Sequence, residues 1–332
     1  MSVSRDSQRI VIAGASSLLG AELKSLLEES RFASWDFFLV DEEIAAGTLT
    51  EAAGEPTVIQ PVEEGTFSRA KLVFFTGSAA FTGRNLAAAR RSGALVIDLS
   101  GAAFSVPDAR AYFAIESPTQ SAGKNKTLYA VASAPGLAAA KFLDTLGKLT
   151  LSHIAMIFFR PVSEAGRAGI EELESQTTQL LSFQSAGQPV FDTQVAFNLL
   201  DRYGAASREN LPAVRARIRR EIAALPNNRV QPSVQILHAP VFYGFTFVAI
   251  AGFTSNPSQP EVVELFRKAG FTIDSDASSP LGNLTASGDS ALHLTLPDKD
   301  PAQPDSWWFW GATDNIRLPA ATAVKLAEKL FE

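Results

Sequence analysis

The stretch from Arg9 to Glu28, RIVIAGASSLLGAELKSLLE, constrains this chain more than any other. A short β-branched run, Arg9–Ala13, passes into the turn Gly14-Ala15-Ser16-Ser17-Leu18-Leu19-Gly20, and Leu19, Leu23, Leu26 and Leu27 then recur at helical spacing. A buried strand, a glycine turn and an amphipathic helix in immediate succession predict the βαβ start of a doubly wound sheet. In the dinucleotide-binding form of this unit the first glycine turns the chain and the last allows close helix–sheet packing, so N–H groups at the helix start can face a pyrophosphate. The middle glycine is absent: Ser17 stands there, bringing a Cβ and a hydroxyl to where phosphate approaches bare backbone. Asp41, ending the apolar run Asp36–Val40, lies about 20 residues past the loop, where an acid would bond a ribose 2′-hydroxyl. Gly14, Ser16, Ser17, Leu18, Leu19, Gly20 and Asp41 are the cofactor-binding candidates. The alternative is a β–α turn kept for packing.

With 332 residues, 46% of them hydrophobic and 19% charged, the chain can bury a sizeable core, and its length suggests two domains. A formal charge of −6 argues against a nucleic-acid partner. The basic cluster Arg208–Arg220 reads as a local, solvated or pocket-lining helix face. No cysteine is present, which excludes disulfides, thiolate metal sites and thiol nucleophiles together. His153, His238 and His293 have no paired ligand spacing, so no metal is expected. The N-terminus reads as the first strand and not a signal peptide, and no apolar span is long enough to cross a bilayer. The expected compartment is therefore the cytoplasm, with no membrane partner.

Further along, strands are expected at Thr57–Val62, Lys71–Phe75 and Ala94–Leu99, with a helix at Arg84–Arg91. This alternation predicts a parallel sheet with helices on both faces over the first ~130 residues. Leu128–Leu137 is another strand-to-helix turn, with Ala138–Leu146 helical beyond it. Ser133 is the one hydroxyl of that turn and reads as turn-forming, with no base near it in sequence. Beyond it the pattern changes. A long strand, Lys148–Phe159, leads through Arg160–Gly169 to a helix from Ile170 to about Ser182, whose Glu171, Glu172 and Glu174 read as dipole-complementing, solvated acids. Strands at Ser233–Leu237, Tyr243–Phe253, Ser290–Leu296 and Trp307–Trp310, with a helix at Glu261–Ala269, predict an α+β domain on a mostly antiparallel sheet. Pro319–Phe331 is an amphipathic helix able to return to the first domain.

Pro161–Thr177, PVSEAGRAGIEELESQT, closely resembles the AVSGAGKAGMEELxxQT segment of the aspartate-semialdehyde dehydrogenase family. Collinear matches run through the chain. GASSLLGAEL resembles GATGAVGxEL, and Val96–Phe104 resembles VIDNSSAFR. Gln194–Asn198 resembles QIAFN, Pro240–Gly244 resembles PVFRG, and Thr313-Asp314-Asn315 resembles the terminal VxDN. The resemblance implies a Rossmann-like domain (residues 1–134 plus 312–332) and an α+β substrate and dimerisation domain (135–311), hence a homodimer. It adds Asn315 to the cofactor-binding candidates. It also implies NADPH-dependent reductive dephosphorylation of β-aspartyl phosphate through a cysteine thioester, a histidine acid/base and an arginine that clamps the substrate carboxylate.

The catalytic positions depart from that pattern. Matching the family's ANPNCST to Ala132–Ala138 puts Gly136 at the cysteine. Matching RVPVFRGHS to His238–Thr246 puts His238 at the arginine and Phe245 at the histidine. The glutamine of TYQAVSG falls at Arg160, and the lysine-bearing EExKM has no counterpart around Leu211–Arg215. Thiol attack, proton transfer and carboxylate clamping are lost together, and members of one catalytic unit do not act additively. The expected protein resembles the family's degenerate Usg-1-type paralogues: a dimeric binding or scaffold protein, open to a small-molecule ligand. The competing expectation is new chemistry in the old cleft, using Arg160, His238 or Glu164. A short-chain reductase lacks support, because none of Tyr112, Tyr129, Tyr203 or Tyr243 has a lysine four residues on. Where the family favours NADP, Asp41-Glu42-Glu43 would repel a 2′-phosphate, so any dinucleotide bound is expected to be NAD.

Overall fold

The computed structural model describes residues 8–42, 47–52, 55–114, 127–226, 230–276 and 278–332. By internal contacts the chain divides into one unit of Met1–Ser133 with Pro319–Glu332, and another of Ala134–Leu318.

In the first unit the β-branched run forms β1 (Arg9–Ala13), followed by α1 (Leu18–Glu28) and β2 (Asp36–Asp41). A hairpin of β3 (Leu49–Ala52) and β4 (Glu55–Val58) precedes β5 (Gln60–Pro61), β6 (Ala70–Phe75), α2 (Ala79–Arg91), β7 (Leu95–Asp98), β8 (Arg110–Tyr112) and β9 (Leu128–Val131). The sheet runs β5-β2-β1-β6-β7-β9-β8, and every pairing in it is parallel. Alternate residues of β1 serve opposite faces, as the pleat requires. Ile10 and Ile12 pack with Leu23 and Leu27 of α1 and with Ala320, Ala323, Leu326 and Ala327 of the C-terminal helix α7 (Arg317–Leu330). Val11 and Ala13 pack with Phe81, Leu86 and Ala89 of α2 on the other face. Phe331 closes an edge-to-face cluster with Phe32 and Trp35. The single strand expected at Thr57–Val62 is instead split between β4 and β5. Its first half turns away to pair with β3, and only Gln60 and Pro61 reach β2. A proline at the end of the run cannot donate to a ladder, which suits an edge position.

The second unit opens with α3 (Ala134–Leu146) and β10 (Leu151–Arg160), then α4 (Gly166–Leu181), α5 (Leu211–Ala223), β11 (Ser233–His238), β12 (Phe245–Phe253) and α6 (Gln259–Lys268). It continues through β13 (Thr272–Asp274), β14 (His293–Thr295), β15 (Asp298–Lys299) and β16 (Ser306–Thr313). The sheet runs β11-β10-β12-β16-β14-β13, with β15 on β16. Only the β10–β11 and β13–β14 pairs are parallel. Its core is aromatic: Phe142 of α3 meets Phe247, Phe266 and Phe309, and Phe247 meets Phe158.

The helix expected from Ile170 begins at Gly166, so Glu171, Glu172 and Glu174 lie beyond the first turn and do not serve its dipole. Glu172 is buried instead. Its carboxylate accepts from the backbone N–H of Val190 and from Gln176 Nε2 at 2.9 Å. Gln176, fully buried, accepts from Val195 N at 2.8 Å and Ala196 N at 3.1 Å and donates to the carbonyls of Gly187 and Thr193. Two polar side chains one turn apart therefore pin the irregular segment 187–196 to α4. Around it, burial would otherwise leave backbone groups unpaired.

Candidate functional site

The glycine turn is shaped by close backbone approach. Gly14 has φ +97°, and a Cβ there would stand 2.1 Å from the N of Gly77. A Cβ on Gly20 would stand 2.5 Å from the Gly14 carbonyl oxygen. Both glycines are thus demanded by packing between the β1–α1 and β6–α2 turns. Ser17 does not intrude as its position in the motif suggests. It is the N-cap of α1: its Oγ accepts from Gly20 N at 2.9 Å and is 2.8 Å from the Gly14 carbonyl oxygen, so the hydroxyl is turned into the turn. The first-turn N–H groups of Leu18 and Leu19 have no intrahelical acceptor by the geometry of a helix start, which is the arrangement that receives a phosphate.

Asp41, buried at the end of β2, already holds the turn. Its Oδ2 accepts from Ser16 N at 2.8 Å and Ser16 Oγ at 2.6 Å, and Oδ1 accepts from Glu42 N at 2.8 Å. Each carboxylate oxygen can accept two hydrogen bonds, so Oδ1 retains capacity for a ribose hydroxyl. The residues present therefore fit a dinucleotide, with Asp41 bracing the loop while keeping one carboxylate oxygen able to accept from a sugar hydroxyl. The expected repulsion from three consecutive acids needs correction. Glu42 is paired with Arg84 of α2 at 2.7 Å, and Glu43 lies outside the described residues. The charge argument rests on Asp41.

Asn315 behaves differently from the other cofactor candidates. Its Nδ2 donates to Ser163 Oγ at 3.1 Å and Glu164 Oε1 at 2.9 Å, and its Oδ1 accepts from Gly244 N at 2.9 Å. All four groups belong to the second unit, where Asn315 acts as a brace.

The remaining candidates also lie in the second unit. Gly136 is buried in the first turn of α3. Phe245 is buried at the start of β12, its ring edge-on to Phe158 at 6.5 Å. Arg160 and His238 are brought together: they end β10 and β11 as direct cross-strand partners. A positive side chain therefore lies one strand away from position 238, at Arg160.

Tyr203 and Glu209 complete this cluster, and no sequence pattern marks either. Arg160 Nη2 donates to Glu209 Oε2 at 2.6 Å and Nη1 to Tyr203 Oη at 3.1 Å. The Tyr203 hydroxyl can then donate to His238 Nδ1 at 3.3 Å, while His238 Nε2 donates to the Val195 carbonyl at 3.3 Å. These neighbours select the Nε2–H tautomer. Burial pushes the His238 imidazole down to about 4, with Arg160 adding in the same direction and the Val195 bond opposing. Burial also works against charge on Arg160, but Tyr203, Glu209 and Glu164 outweigh it and hold the guanidinium above its ordinary range. The half-buried Glu164 carboxyl is raised by burial, with Arg160 and Asn315 pulling it back. Of the expected basic face, Arg215 binds Gln235 at 2.7 Å and Arg217 binds Glu221 at 2.8 Å, so these charges are engaged locally. Among the described residues no group of three or more histidine, aspartate or glutamate side chains could hold a metal, and no helix is long and apolar enough to cross a membrane.

A parallel sheet with a glycine turn and helix N-terminus at the end of β1, joined in one chain to a mixed-sheet unit, defines an α/β protein with a Rossmann-like first unit. The semialdehyde dehydrogenase NAD-binding domain matches residues 9–148, and the semialdehyde dehydrogenase dimerisation domain matches residues 146–318. The chain belongs to the semialdehyde dehydrogenase family. It is 29% identical to a USG-1 protein homolog of Azotobacter vinelandii over 340 residues, covering 97% of each. It is 22% identical to an aspartate-semialdehyde dehydrogenase of Rickettsia bellii, again over 97% of each. Among solved structures, that of a probable aspartate-semialdehyde dehydrogenase from Pseudomonas aeruginosa superposes with a TM-score of 0.88 at 26% identity, covering 98% of this chain and 99% of that one.

Proposed function

We propose that this chain is a homodimeric binding protein of the semialdehyde dehydrogenase family that does not carry out acyl-thioester chemistry. The observation that carries this is the absence of any cysteine in 332 residues. A thiolate is what would attack the carbonyl, and the aligned position, Gly136, has no side chain. Two features support it. Phe245, at the position expected for a proton-transferring histidine, can exchange no proton, and its ring is packed into an aromatic core. The cross-strand pair Arg160 and His238 is engaged with Tyr203 and Glu209 in one polar cluster. The first domain would retain a dinucleotide, with NAD preferred to NADP because the Asp41 carboxylate would repel a 2′-phosphate.

The alternative, new chemistry in the second unit, has one observation in its favour: Arg160 lies beside His238 across the β10–β11 pair and within electrostatic reach of Glu164. Turnover separates the readings. The purified protein is expected to reduce no aldehyde or acyl phosphate with either nicotinamide while sedimenting as a dimer. Conversion of aspartate semialdehyde, free of contaminating enzyme, overturns the proposal. The positional assignments are tested by restoration. Because His238→Arg alone would set a second buried guanidinium against Arg160, the variant must combine Gly136→Cys, Phe245→His, His238→Arg and Arg160→Gln. A trapped acyl-enzyme is the expected result, and its absence in a folded variant counts against the alignment.

A further inference from the structure

Arg160 is the one buried lysine or arginine among the described residues. Its hydrogen bonding is incomplete. Nη2 holds Glu209 and Nη1 holds Tyr203, while Nε, equally buried, has no hydrogen-bond partner among the described residues. In a guanidinium, Nε–H and Nη2–H are the two parallel donors of one edge, the edge that grips both oxygens of a carboxylate. Glu209 engages that edge through Nη2 alone, one oxygen on one nitrogen, and leaves Nε–H unpaired.

The half-filled edge follows from how Glu209 is held. Its own N–H donates to Ser207 Oγ at 3.0 Å, Arg208 N donates to the Val190 carbonyl at 2.9 Å, and Asn210 caps α5 through Ala213 N at 2.9 Å. Fixed on both sides, Glu209 reaches the guanidinium from a set direction. Its side chain is 26% exposed against 3% for Arg160, so the carboxylate stands between the buried cation and water.

We propose that Arg160 is a carboxylate receptor and Glu209 its built-in, displaceable occupant. A small untethered carboxylate enters as Glu209 swings to solvent, and it bonds both Nη2–H and the Nε–H that Glu209 leaves unpaired. Tyr203 keeps Nη1 occupied, so the fork stays aimed at the entry. A planar carboxylate matches the two parallel donors better than a tetrahedral anion does. His238, held neutral by burial, adds no competing positive charge. This takes over the reading of the unit as a binding module and is independent of its catalytic silence: turnover would refute the silence and leave the receptor standing.

The test uses the full-length protein with Glu209→Gln, which keeps the shape of the plug and removes its charge. The probes are sodium acetate and sodium succinate, with acetamide, sodium phosphate and ionic-strength-matched sodium chloride as controls, followed by calorimetry and thermal shift. Acetate is expected to bind Glu209→Gln saturably and at least about tenfold more tightly than it binds wild type, and to lose that binding when Arg160→Met is added. Equal affinity in wild type and Glu209→Gln, or binding that survives Arg160→Met, overturns the proposal. Phosphate binding more tightly than acetate overturns the carboxylate preference. Should Glu209→Gln fail to fold, the Arg160 Nε–H resonance of wild type is followed during acetate titration. A saturable shift supports the receptor, and no shift where chloride also gives none refutes it.

Discussion

His238 provides a measurable check on the polar cluster, because its protonation would set a second cation against Arg160 across the Tyr203 hydroxyl. The side chain is fully buried, and its Nε2–H and Nδ1 are matched to the Val195 carbonyl and the Tyr203 hydroxyl. A second ring proton would oppose the Tyr203 hydroxyl, which already accepts from Arg160, and would place two cations on either side of one phenol. The folded-state value of about 4 lies below the ordinary 6.5. At about 1.4 kcal/mol per pH unit, that difference is worth roughly 3 kcal/mol. The sign follows from linkage: the unfolded chain takes up the proton first, so this contribution is intact above pH ~6.5 and is lost progressively as pH falls to ~4. Carboxylates titrate in the same window, but they do so equally in His238→Gln. Urea unfolding of both proteins between about pH 7.5 and about pH 4 should show wild type losing up to about 3 kcal/mol more than the variant. NMR can follow the imidazole directly, since only His153 and His293 must be distinguished from it. Folded-state titration of His238 at or above its ordinary value, or parallel stability curves for the two proteins, would refute the reasoning.

Three further outcomes follow from the geometry. Gln176→Leu strands the buried N–H groups of Val195 and Ala196, at roughly 1–3 kcal/mol each, so unfolding in urea should show a loss of about 2–6 kcal/mol, with proteolysis entering first at 187–196. Gly14→Ala meets both a positive φ and the Gly77 backbone, whereas Gly93→Ala, at φ +80° with open space around it, meets only the first. The Gly93 change should cost about 1 kcal/mol, and the Gly14 change at least about 2 kcal/mol more, through overpacking. If a dinucleotide binds, calorimetry should favour NAD over NADP by about 1–4 kcal/mol, the range for two charges about 4 Å apart between water and an effective dielectric of 20. Asp41→Asn should shrink that gap, and Arg84→Ala, by freeing Glu42, should widen it.

The parallel sheet was legible because its signals are local. A β-branched run, a glycine and a leucine stripe each follow from the period of the element they form. The role of Glu172 is hidden for the opposite reason. A carboxylate near a helix start looks like a dipole partner, and only the fold reveals that segment 187–196 lies across it. The split of Thr57–Val62 was equally hidden, since pairing partners and not propensity decide where an edge strand turns away.

By itself the sequence determined the class of architecture, and it withheld the sulfur on which the family chemistry runs, because composition and periodicity are properties of the chain alone. Tertiary structure decided which charges meet. Arg160, Tyr203, Glu209 and His238 come from separate stretches of chain, and the parallel register of β10 and β11 sets two of them side by side. The contacts of an ion pair or a buried imidazole are long-range, and nothing in the spacing of those residues encodes them.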